Sequence, residues 1–387
     1  MVGMVIGMLG IIVIMQVFAL FEGQKRTTSG GGEAQNTGAI ALSGLSDDIR
    51  QSGYGFYLLN LIGCDVLLRP GVTINALAPV TINSVSIPAG DANTDTLLMA
   101  YGNSETLPEA NSISVQVINT TTLSVQAAPG FQVGDYVIAT PRIRSCAPAT
   151  PPATILNKVQ SVDIPNLTVT IAPGVASPAS VASGLLFNLG PGFTIHAYAV
   201  RNSSLTMCDF MANDCSSAAN TGNAAIWVPI AGNIVGLRAQ YGQDITNQTP
   251  TITSANTGLM DGIVDIYSQT PPGNTGATAD ACGWLRTLSL RLALVARNSQ
   301  FEKTAVTTVA PLWEGSTATN NSPSWGGVTS GASANPIDLT KYPNGTLEPI
   351  LSDGTYNWQH YRYKAFQTTL PLRNITSSVS LGKISGC

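Results

Sequence analysis

The chain opens with MVGMVIGMLGIIVIMQVFALF, residues 1–21, and this stretch decides how the protein is built. It carries no charged side chain, and Gln16 is its only strongly polar residue. As an α-helix it would be roughly 31 Å long at about 1.5 Å per residue, enough to cross the hydrocarbon core of a bilayer. No second apolar run of that length follows Arg26. We therefore expect one apolar N-terminal helix, called here the apolar segment (residues 1–21), attached to one large polar body.

The apolar segment does not have the features of a secretory signal peptide. It lacks a basic region at its start, it exceeds the usual apolar length, and no small-x-small cleavage site follows it. A membrane anchor fits better. Gly3, Gly7 and Gly10 would then let a second helix approach closely, as small residues spaced three or four apart do.

The charges after the apolar segment conflict with the character of the body. Lys25 and Arg26 would hold that side of a membrane in the cytoplasm, since positive residues favour the inside. Yet the body, rich in Ser, Thr, Asn and Gly and with six cysteines, looks extracytoplasmic. The conflict disappears if a basic segment precedes Met1.

Composition indicates a β-rich body without nucleic-acid-binding character. Only 10% of the residues are charged, and the chain has 38 glycines, 23 prolines and two histidines. Few charges with many β-branched and turn-forming residues predict short strands and long loops. The net charge of −4 argues against a nucleic-acid partner, which requires a clustered basic surface.

The six cysteines predict disulfides in an oxidising compartment. They are widely spaced and contain no CxxC pair, so zinc-binding and thioredoxin-like sites are disfavoured. The turn-prone spacing of Cys208 and Cys215 predicts a local bond between them. Long-range bonds are then expected for the four that remain: Cys64 with Cys146, and Cys282 with Cys387.

Residues 22–52 are expected to contain a connection interrupted by glycine and then an amphipathic helix. Each glycine destabilises a helix interior by about 1 kcal/mol relative to alanine, so the glycines should bend or melt the helix. These are Gly23, Gly30, Gly31 and Gly32. Helical spacing returns over 39–52 in an apolar stripe that should pack onto the body: Ile40, Leu42, Leu45 and Ile49.

Residues 53–387 are expected to form a globular β-rich domain with long loops. Leucines at every second position from Leu288 to Leu294, with Ser289 and Arg291 between them, predict a half-buried strand. Stretches 268–281 and 314–337 are expected to be surface loops. Strands are predicted at 72–77, 80–87, 96–101, 112–118, 136–140, 167–171, 193–201, 233–241, 262–267, 285–296 and 358–369.

Signals of catalysis and of metal binding are weak. His196 and His360 are far apart in sequence and belong to no HExxH cluster, and the chain has no GxSxG or P-loop motif. We interpret both histidines as sheet residues and Asp47-Asp48 as a solvated pair. The stretch from Asp261 to Asp265 resembles part of a calcium loop but lacks the other carboxylates. We expect no enzyme activity, cofactor or metal site.

An aromatic cluster near the C-terminus suggests an adhesive or sugar-binding surface as an alternative. Strand alternation would place Trp358, His360 and Phe366 on one face, with Tyr361 and Tyr363 on the other. One of these faces would then belong to the core. The cluster consists of Tyr356, Trp358, His360, Tyr361, Tyr363 and Phe366.

Several segments together resemble type IV pilins, specifically the large minor pilins called PilW. The resemblance covers both ends and the middle of the chain. Its segments are the apolar segment followed by KRTTSGGGEAQNTGAIALSGLSDDIRQSGYG, then NIVGLRAQYGQD (233–244), DGIVDIY (261–267), WLRTLSLRLALVARNSQFEK (284–303) and HYRYKAFQTTLPLRN (360–374).

The resemblance implies an α+β pilin-like fold, in which a long bent N-terminal α-helix precedes a large, mostly antiparallel β domain. It implies a structural role in assembly or at the tip of a type IV pilus. The partners would be other pilin subunits, the assembly machinery and, before assembly, the inner membrane. The alternatives are the main repeating subunit of a filament and a membrane-anchored adhesin. The helix residues implied to pack in the filament core are Gly3, Gly7, Gly10, Ile11, Ile14, Phe18 and Phe21.

The start of the chain departs from the family pattern. Family members carry a short basic leader ending in glycine and, a few residues later, a glutamate. Met1 matches a methionine just beyond that glutamate. We expect the leader and the glutamate to precede Met1; alternatively, this subunit lacks them.

Overall fold

The computed structural model describes residues 2–56, 58–105, 111–146, 154–244, 262–273, 278–316 and 334–376. The protein is α+β, as the sequence predicts. Its helices are α1 (Val2–Gln51), α2 (Pro178–Val181), α3 (Thr278–Leu285) and α4 (Arg373–Thr376). The first ten strands are β1 (Val66–Arg69), β2 (Val72–Ile74), β3 (Val80–Ile82), β4 (Leu97–Tyr101), β5 (Asn111–Val117), β6 (Thr122–Val125), β7 (Tyr136–Thr140), β8 (Leu156–Asp163), β9 (Thr168–Ala172) and β10 (Leu185–Gly190). Those that follow are β11 (Thr194–Arg201), β12 (Ser204–Asp209), β13 (Val228–Gly232), β14 (Ile234–Gln243), β15 (Ile266–Ser268), β16 (Thr287–Arg297) and β17 (Tyr363–Pro371).

Helix α1 is continuous through the glycines that were expected to interrupt it. Gly23 and Gly30–Gly32 lie inside its 50 residues, so the prediction that the helix melts there is wrong. Packing supports the helix at Gly30 and at the later Gly38. Gly30 lies against Asn298, where an added Cβ would be 3.0 Å from Nδ2, and a Cβ on Gly38 would overlap the ring of Phe366. Gly30 and Gly38 let the helix approach the sheet closely, and the resulting packing offsets their helical cost. Gly31 and Gly32 have no atom within 4 Å of an added Cβ.

The C-terminal half of α1 packs one face onto the body. Leu45 and Ile49 are fully buried, as the stripe predicts, and Leu42 is half-buried. Ile40, in contrast, is 63% exposed, and Ala41 takes the buried position next to it. At the start of the predicted stripe, the buried position is therefore Ala41 instead of Ile40.

Two antiparallel sheets receive α1. One has the order β13-β12-β11-β4-β3, and the other has the order β15-β14-β16-β17. Residues from α1 and from both sheets share the largest apolar core. A hairpin of β1 and β2 lies outside these sheets.

A closed six-stranded barrel is inserted between neighbouring strands of the first sheet. Its strands follow the order β10-β5-β6-β9-β8-β7, and its interior forms a separate apolar core. Strands β4 and β11, which precede and follow it in sequence, pair directly, with Tyr101 opposite Thr194. The chain therefore leaves the sheet at the end of β4, forms the barrel, and returns to the sheet beside β4 in β11.

Strand β16 is buried on both faces, so the prediction of a half-buried strand is wrong. Leu290, Leu292 and Leu294 face the core shared with α1, whereas Ala293 and Val295 contact a second core that contains Trp313 and Trp358. Residues of the long connection between β16 and β17, Trp313 and Trp358 among them, cover this second face of the strand. Arg291, expected at the surface, is 3% exposed.

Two of the three predicted disulfides are confirmed within the described residues. Cys208 bonds Cys215 with a Cα–Cα distance of 6.0 Å, and Cys64 bonds Cys146 at 4.9 Å. Cys282 is also disulfide-bonded. Its predicted partner, Cys387, lies outside the described residues.

Candidate functional site

The apolar segment projects from the body, and all of its side chains that the structure describes are exposed. Its described large apolar side chains, from Ile6 to Phe21, are between 44% and 72% exposed. Gly3, Gly7 and Gly10 have no atom within 4 Å of an added Cβ. The packing residues expected from the sequence therefore lie together on a free helix. They include Ile11, Ile14, Phe18 and Phe21.

None of the helices that the structure describes meets the length and hydropathy required of a membrane span.

A carboxylate on α1 fastens the helix to the five-stranded sheet. Asp48 Oδ2 accepts a hydrogen bond from Tyr198 Oη at 2.6 Å and pairs with His196 Nδ1 at 2.6 Å. Its Oδ1 accepts a hydrogen bond from Tyr101 Oη at 3.1 Å. Tyr101 ends β4, and the other two residues lie on β11. We call these four residues the Asp48 anchor.

The ionisation of the anchor follows from its hydrogen bonds. Burial opposes the charged carboxylate, but hydrogen bonds from His196, Tyr198 and Tyr101, together with the charge of His196, outweigh it and hold the pKa of Asp48 below its ordinary value. Burial, followed by the charge of Asp48 and the hydrogen bond to it, raises the pKa of Tyr101 to about 12. Burial and the same carboxylate also raise the pKa of Tyr198. The anchor is therefore an ionised aspartate with two protonated phenols.

The anchor corrects one interpretation of the sequence and adds a partner to another. Asp47 is exposed as expected, with 67% of its side chain accessible, but Asp48 is only 14% exposed and is not solvated. His196 is a strand residue, as predicted, and it pairs with Asp48. The signal was present in the spacing, because Asp48 lies three residues after buried Leu45 and so falls on the buried face of the helix.

The C-terminal end of α1 is capped by a side chain from the far end of the chain. Asn374 Nδ2 lies 2.8 Å from the carbonyl oxygen of Gln51 and 3.2 Å from those of Arg50 and Ser52. These carbonyls have no partner inside a helix. Gly53 follows with a φ of +89°, which suits the turn that ends the helix. The C-terminal part of the body thus holds the last turn of α1.

The aromatic cluster does not lie on one strand. Residues Asn357–His360 form a 3₁₀ turn, and β17 begins only at Tyr363, so the predicted strand alternation of Trp358 with His360 is wrong. His360 is fixed by its neighbours. Its Nδ1 lies 2.8 Å from the carbonyl oxygen of Glu302, its Nε2 lies 2.7 Å from Thr355 Oγ1, and its ring stacks on Phe301.

The described residues contain no group of three or more His, Cys, Asp or Glu side chains arranged to hold a metal ion. Asp261, the first residue of the calcium-like stretch, lies outside the described residues. Gly262 donates its N–H to Asp244 Oδ2 at 2.9 Å, so this stretch is tied to the end of β14.

Comparison with known proteins finds a family match over the C-terminal part of the chain. Residues 197–374 match the family model PilW, described as Type IV Pilus-assembly protein W. The match begins in β11 and ends in α4, and it supports the resemblance to PilW-type pilus proteins. No curated protein and no solved structure gives a significant match. The family indicates a role related to type IV pilus assembly and a location in the cell envelope or at the cell surface, and it is not a known enzyme family.

Proposed function

We propose that this PilW-type chain is a structural subunit of a type IV pilus, a minor pilin that acts in pilus assembly or at the tip. The observation that carries the proposal is the division of α1 into two environments. Its first part is apolar and exposed at every side chain that the structure describes, and its second part is fastened to the β body by the Asp48 anchor and the Asn374 cap. A helix of this kind stabilises an assembly by burying its free part among other helices.

In the proposed mechanism, the apolar segment moves from lipid into a bundle of pilin helices. The exposed apolar side chains lose contact with water in both surroundings, so the transfer has a low hydrophobic cost. Before assembly the subunit would lie in the inner membrane, with the body outside the cytoplasm. Gly3, Gly7 and Gly10 present open helix surface on which a neighbouring helix can lie.

The proposal is tested by blocking this close approach without touching the body. In the variant Gly7→Leu, a bulky side chain replaces the open surface, and we expect normal folding but few pili by electron microscopy. Gly222→Leu is the matched control, since Gly222 is a body glycine that also has no atom within 4 Å of an added Cβ. Wild-type piliation in Gly7→Leu would contradict the proposal.

The ratio of subunits in purified filaments separates the two structural roles. A minor pilin should be present at a few copies per filament, measured by quantitative mass spectrometry against the most abundant pilin. If this chain is itself the most abundant subunit, it is the main repeating subunit instead.

A further inference from the structure

Strand β17 forms one edge of the four-stranded sheet. Its nine residues, Tyr363–Pro371, each lie opposite one residue of β16, and the register contains no bulge. The strand order β15-β14-β16-β17 places no strand on its other side among the residues that the structure describes. This outer side, called here the β17 edge, is therefore an open sheet edge nine residues long.

The hydrogen bonds at the two ends of β17 show which of its main-chain groups point outward. The N–H of Asn298 donates to the carbonyl oxygen of Arg362, and the N–H of Leu372 donates to that of Leu288. In an antiparallel pair of strands, hydrogen-bonded and non-hydrogen-bonded residue pairs alternate. The even-numbered residues of β17 therefore bond to β16, and the N–H and C=O groups of its odd-numbered residues point away from the sheet.

Three of these outward residues have main-chain groups without a partner. Within the described parts of the chain, nothing hydrogen-bonds to the N–H or C=O groups of Ala365, Gln367 and Thr369. Gln367 and Thr369 are exposed, and Ala365 is half-buried. The N–H of Glu314 approaches the same side, but it bonds the side-chain Oε1 of Gln367 at 3.0 Å and leaves the main chain free. The β17 edge thus offers alternating donors and acceptors to another chain.

The other outer strands of the two sheets that receive α1 are protected against such an addition. β3 and β15 have only three residues each. β13 has five residues, contains Pro229 and pairs with β12 in an irregular register. Short strands, proline and bulges all hinder the addition of a further strand. In β17, proline occurs only at the last position, Pro371, so most of its edge lacks these features.

The charges beside the β17 edge indicate what kind of chain fits it. Residues 360–374 contain no Asp or Glu and three positively charged residues, Arg362, Lys364 and Arg373. Arg362 pairs with Glu302 at 3.2 Å, whereas Lys364 is exposed and forms no ion pair with any residue that the structure describes. A carboxylate across from Lys364 would form a favourable cross-strand pair. A second copy of β17 brings no carboxylate, so the lysine favours a different segment.

We propose that the β17 edge binds an extended, acidic segment of another protein chain, which adds a strand to the four-stranded sheet. The N–H groups of Ala365, Gln367 and Thr369 donate to its main chain, and their carbonyl oxygens accept from it. These main-chain bonds supply affinity, and Lys364 selects a segment with a carboxylate. This interaction is additional to the structural role proposed above and does not depend on it.

Amide hydrogen exchange tests the edge directly. In the full chain in detergent micelles, the N–H groups of Ala365, Gln367 and Thr369 should exchange quickly, whereas β16 protects the even-numbered residues between them. The probe is a peptide as long as β17, blocked at both ends, made of alternating threonine and valine with a glutamate near each end. We expect the bound peptide to slow exchange at the three odd-numbered positions by about tenfold or more.

Variants at Thr369 test the main-chain bonds. Thr369→Pro removes one outward N–H without breaking a bond to β16, and Thr369→Ala is the matched control that keeps the N–H. We expect only the proline variant to bind the peptide about tenfold more weakly or worse, measured by fluorescence anisotropy. Circular dichroism reports whether each variant is folded.

A charge reversal tests the selection of an acidic segment and needs no change in the main chain. Lys364→Glu should weaken binding of the acidic peptide by about threefold to tenfold. Lys158→Glu is the control, because Lys158 is an exposed strand lysine of the barrel. A peptide with lysine in place of both glutamates should show the opposite preference between wild type and Lys364→Glu.

Three outcomes would overturn the proposal. One is slow exchange at Ala365, Gln367 and Thr369 in the free protein, which would mean that these groups already have partners. Another is no protection by the acidic peptide up to about 1 mM. The third is equal or tighter binding of a peptide that copies residues 363–371, which would make a second copy of this chain the occupant.

Discussion

His196 Nδ1 on β11 lies 2.6 Å from Asp48 Oδ2 on α1, and this contact joins the helix to the sheet that carries the barrel. The same carboxylate accepts hydrogen bonds from Tyr101 and Tyr198. One side chain therefore serves three donors from two neighbouring strands. The position of α1 on the body depends on a group that is rarely buried unless it is paired.

Removing the Asp48 carboxylate should destabilise the protein. Asp48→Ala leaves His196, Tyr101 and Tyr198 without their acceptor, and we expect the free energy of unfolding in urea to fall by about 2–3 kcal/mol. Asp47→Ala is the matched control, because Asp47 is 67% exposed and reaches Arg50 only at 4.0 Å. Its effect should stay within about 0.5 kcal/mol. Equal losses in the two variants would argue against the anchor.

The anchor should also weaken in acid. The pKa of Asp48 lies below its ordinary value of 3.8, so its contribution to stability is fully present above that value. The contribution is lost as pH falls through the lower pKa of the folded protein. We expect the stability difference between wild type and Asp48→Asn to be constant near neutral pH and to shrink below about pH 4. A difference that grows in acid would contradict this linkage.

Gly38 and Gly31 should respond in opposite ways to alanine. Alanine favours a helix interior by about 1 kcal/mol over glycine, so Gly31→Ala, with no neighbour within 4 Å, should stabilise the protein. A Cβ on Gly38 overlaps the ring of Phe366, and we expect Gly38→Ala to destabilise by about 1–3 kcal/mol. Chemical denaturation measures both effects.

A double-mutant cycle identifies the cause of the loss at Gly38. In a Phe366→Ala background the ring is absent, and Gly38→Ala should then become neutral or stabilising. If the loss persists without the ring, the overlap with Phe366 is not its origin.

The two described disulfides should differ in their contributions. Cys64 and Cys146 are separated by 82 residues, whereas Cys208 and Cys215 are separated by 7. In the chain-entropy model, the longer loop gives about 4.5 kcal/mol and the shorter one about 2.5 kcal/mol. Paired substitutions to serine, followed by denaturation without reductant, measure the difference. An equal or reversed order would mean that native contacts, not loop length, dominate.

Local patterns predicted much of the strand content. Each of the eleven strands expected from β-branched runs and turn residues overlaps an observed strand, and 136–140 coincides with β7 (Tyr136–Thr140). Six were missed: β1, β6, β8, β10, β12 and β13. Among them, β8 carries Lys158, Gln160 and Asp163, and β12 follows β11 after a two-residue turn, so neither stands out as a separate apolar run.

Long-range packing explains the remaining differences. The close packing of α1 at Gly30 and Gly38 involves Asn298 and Phe366, which lie more than 250 residues away in sequence from the glycines they contact. The second cover of β16 comes from loops that carry Trp313 and Trp358. The Asp48 anchor required a pairing of β4 with β11 across the inserted barrel. Each of these contacts joins residues that are far apart in the sequence, so short sequence patterns could not predict them.

The continuity of α1 between Phe21 and Gly30 sets a direction as well as a distance. Each residue of an α-helix adds about 1.5 Å of length and about 100° of rotation. One residue inserted in this stretch would leave the exposed end and the body intact but turn them by about 100° relative to each other. Seven inserted residues would restore the original orientation of the apolar segment relative to the body to within about 20°. The number of residues between these two points therefore determines which side of the body faces the same way as a given side of the apolar segment.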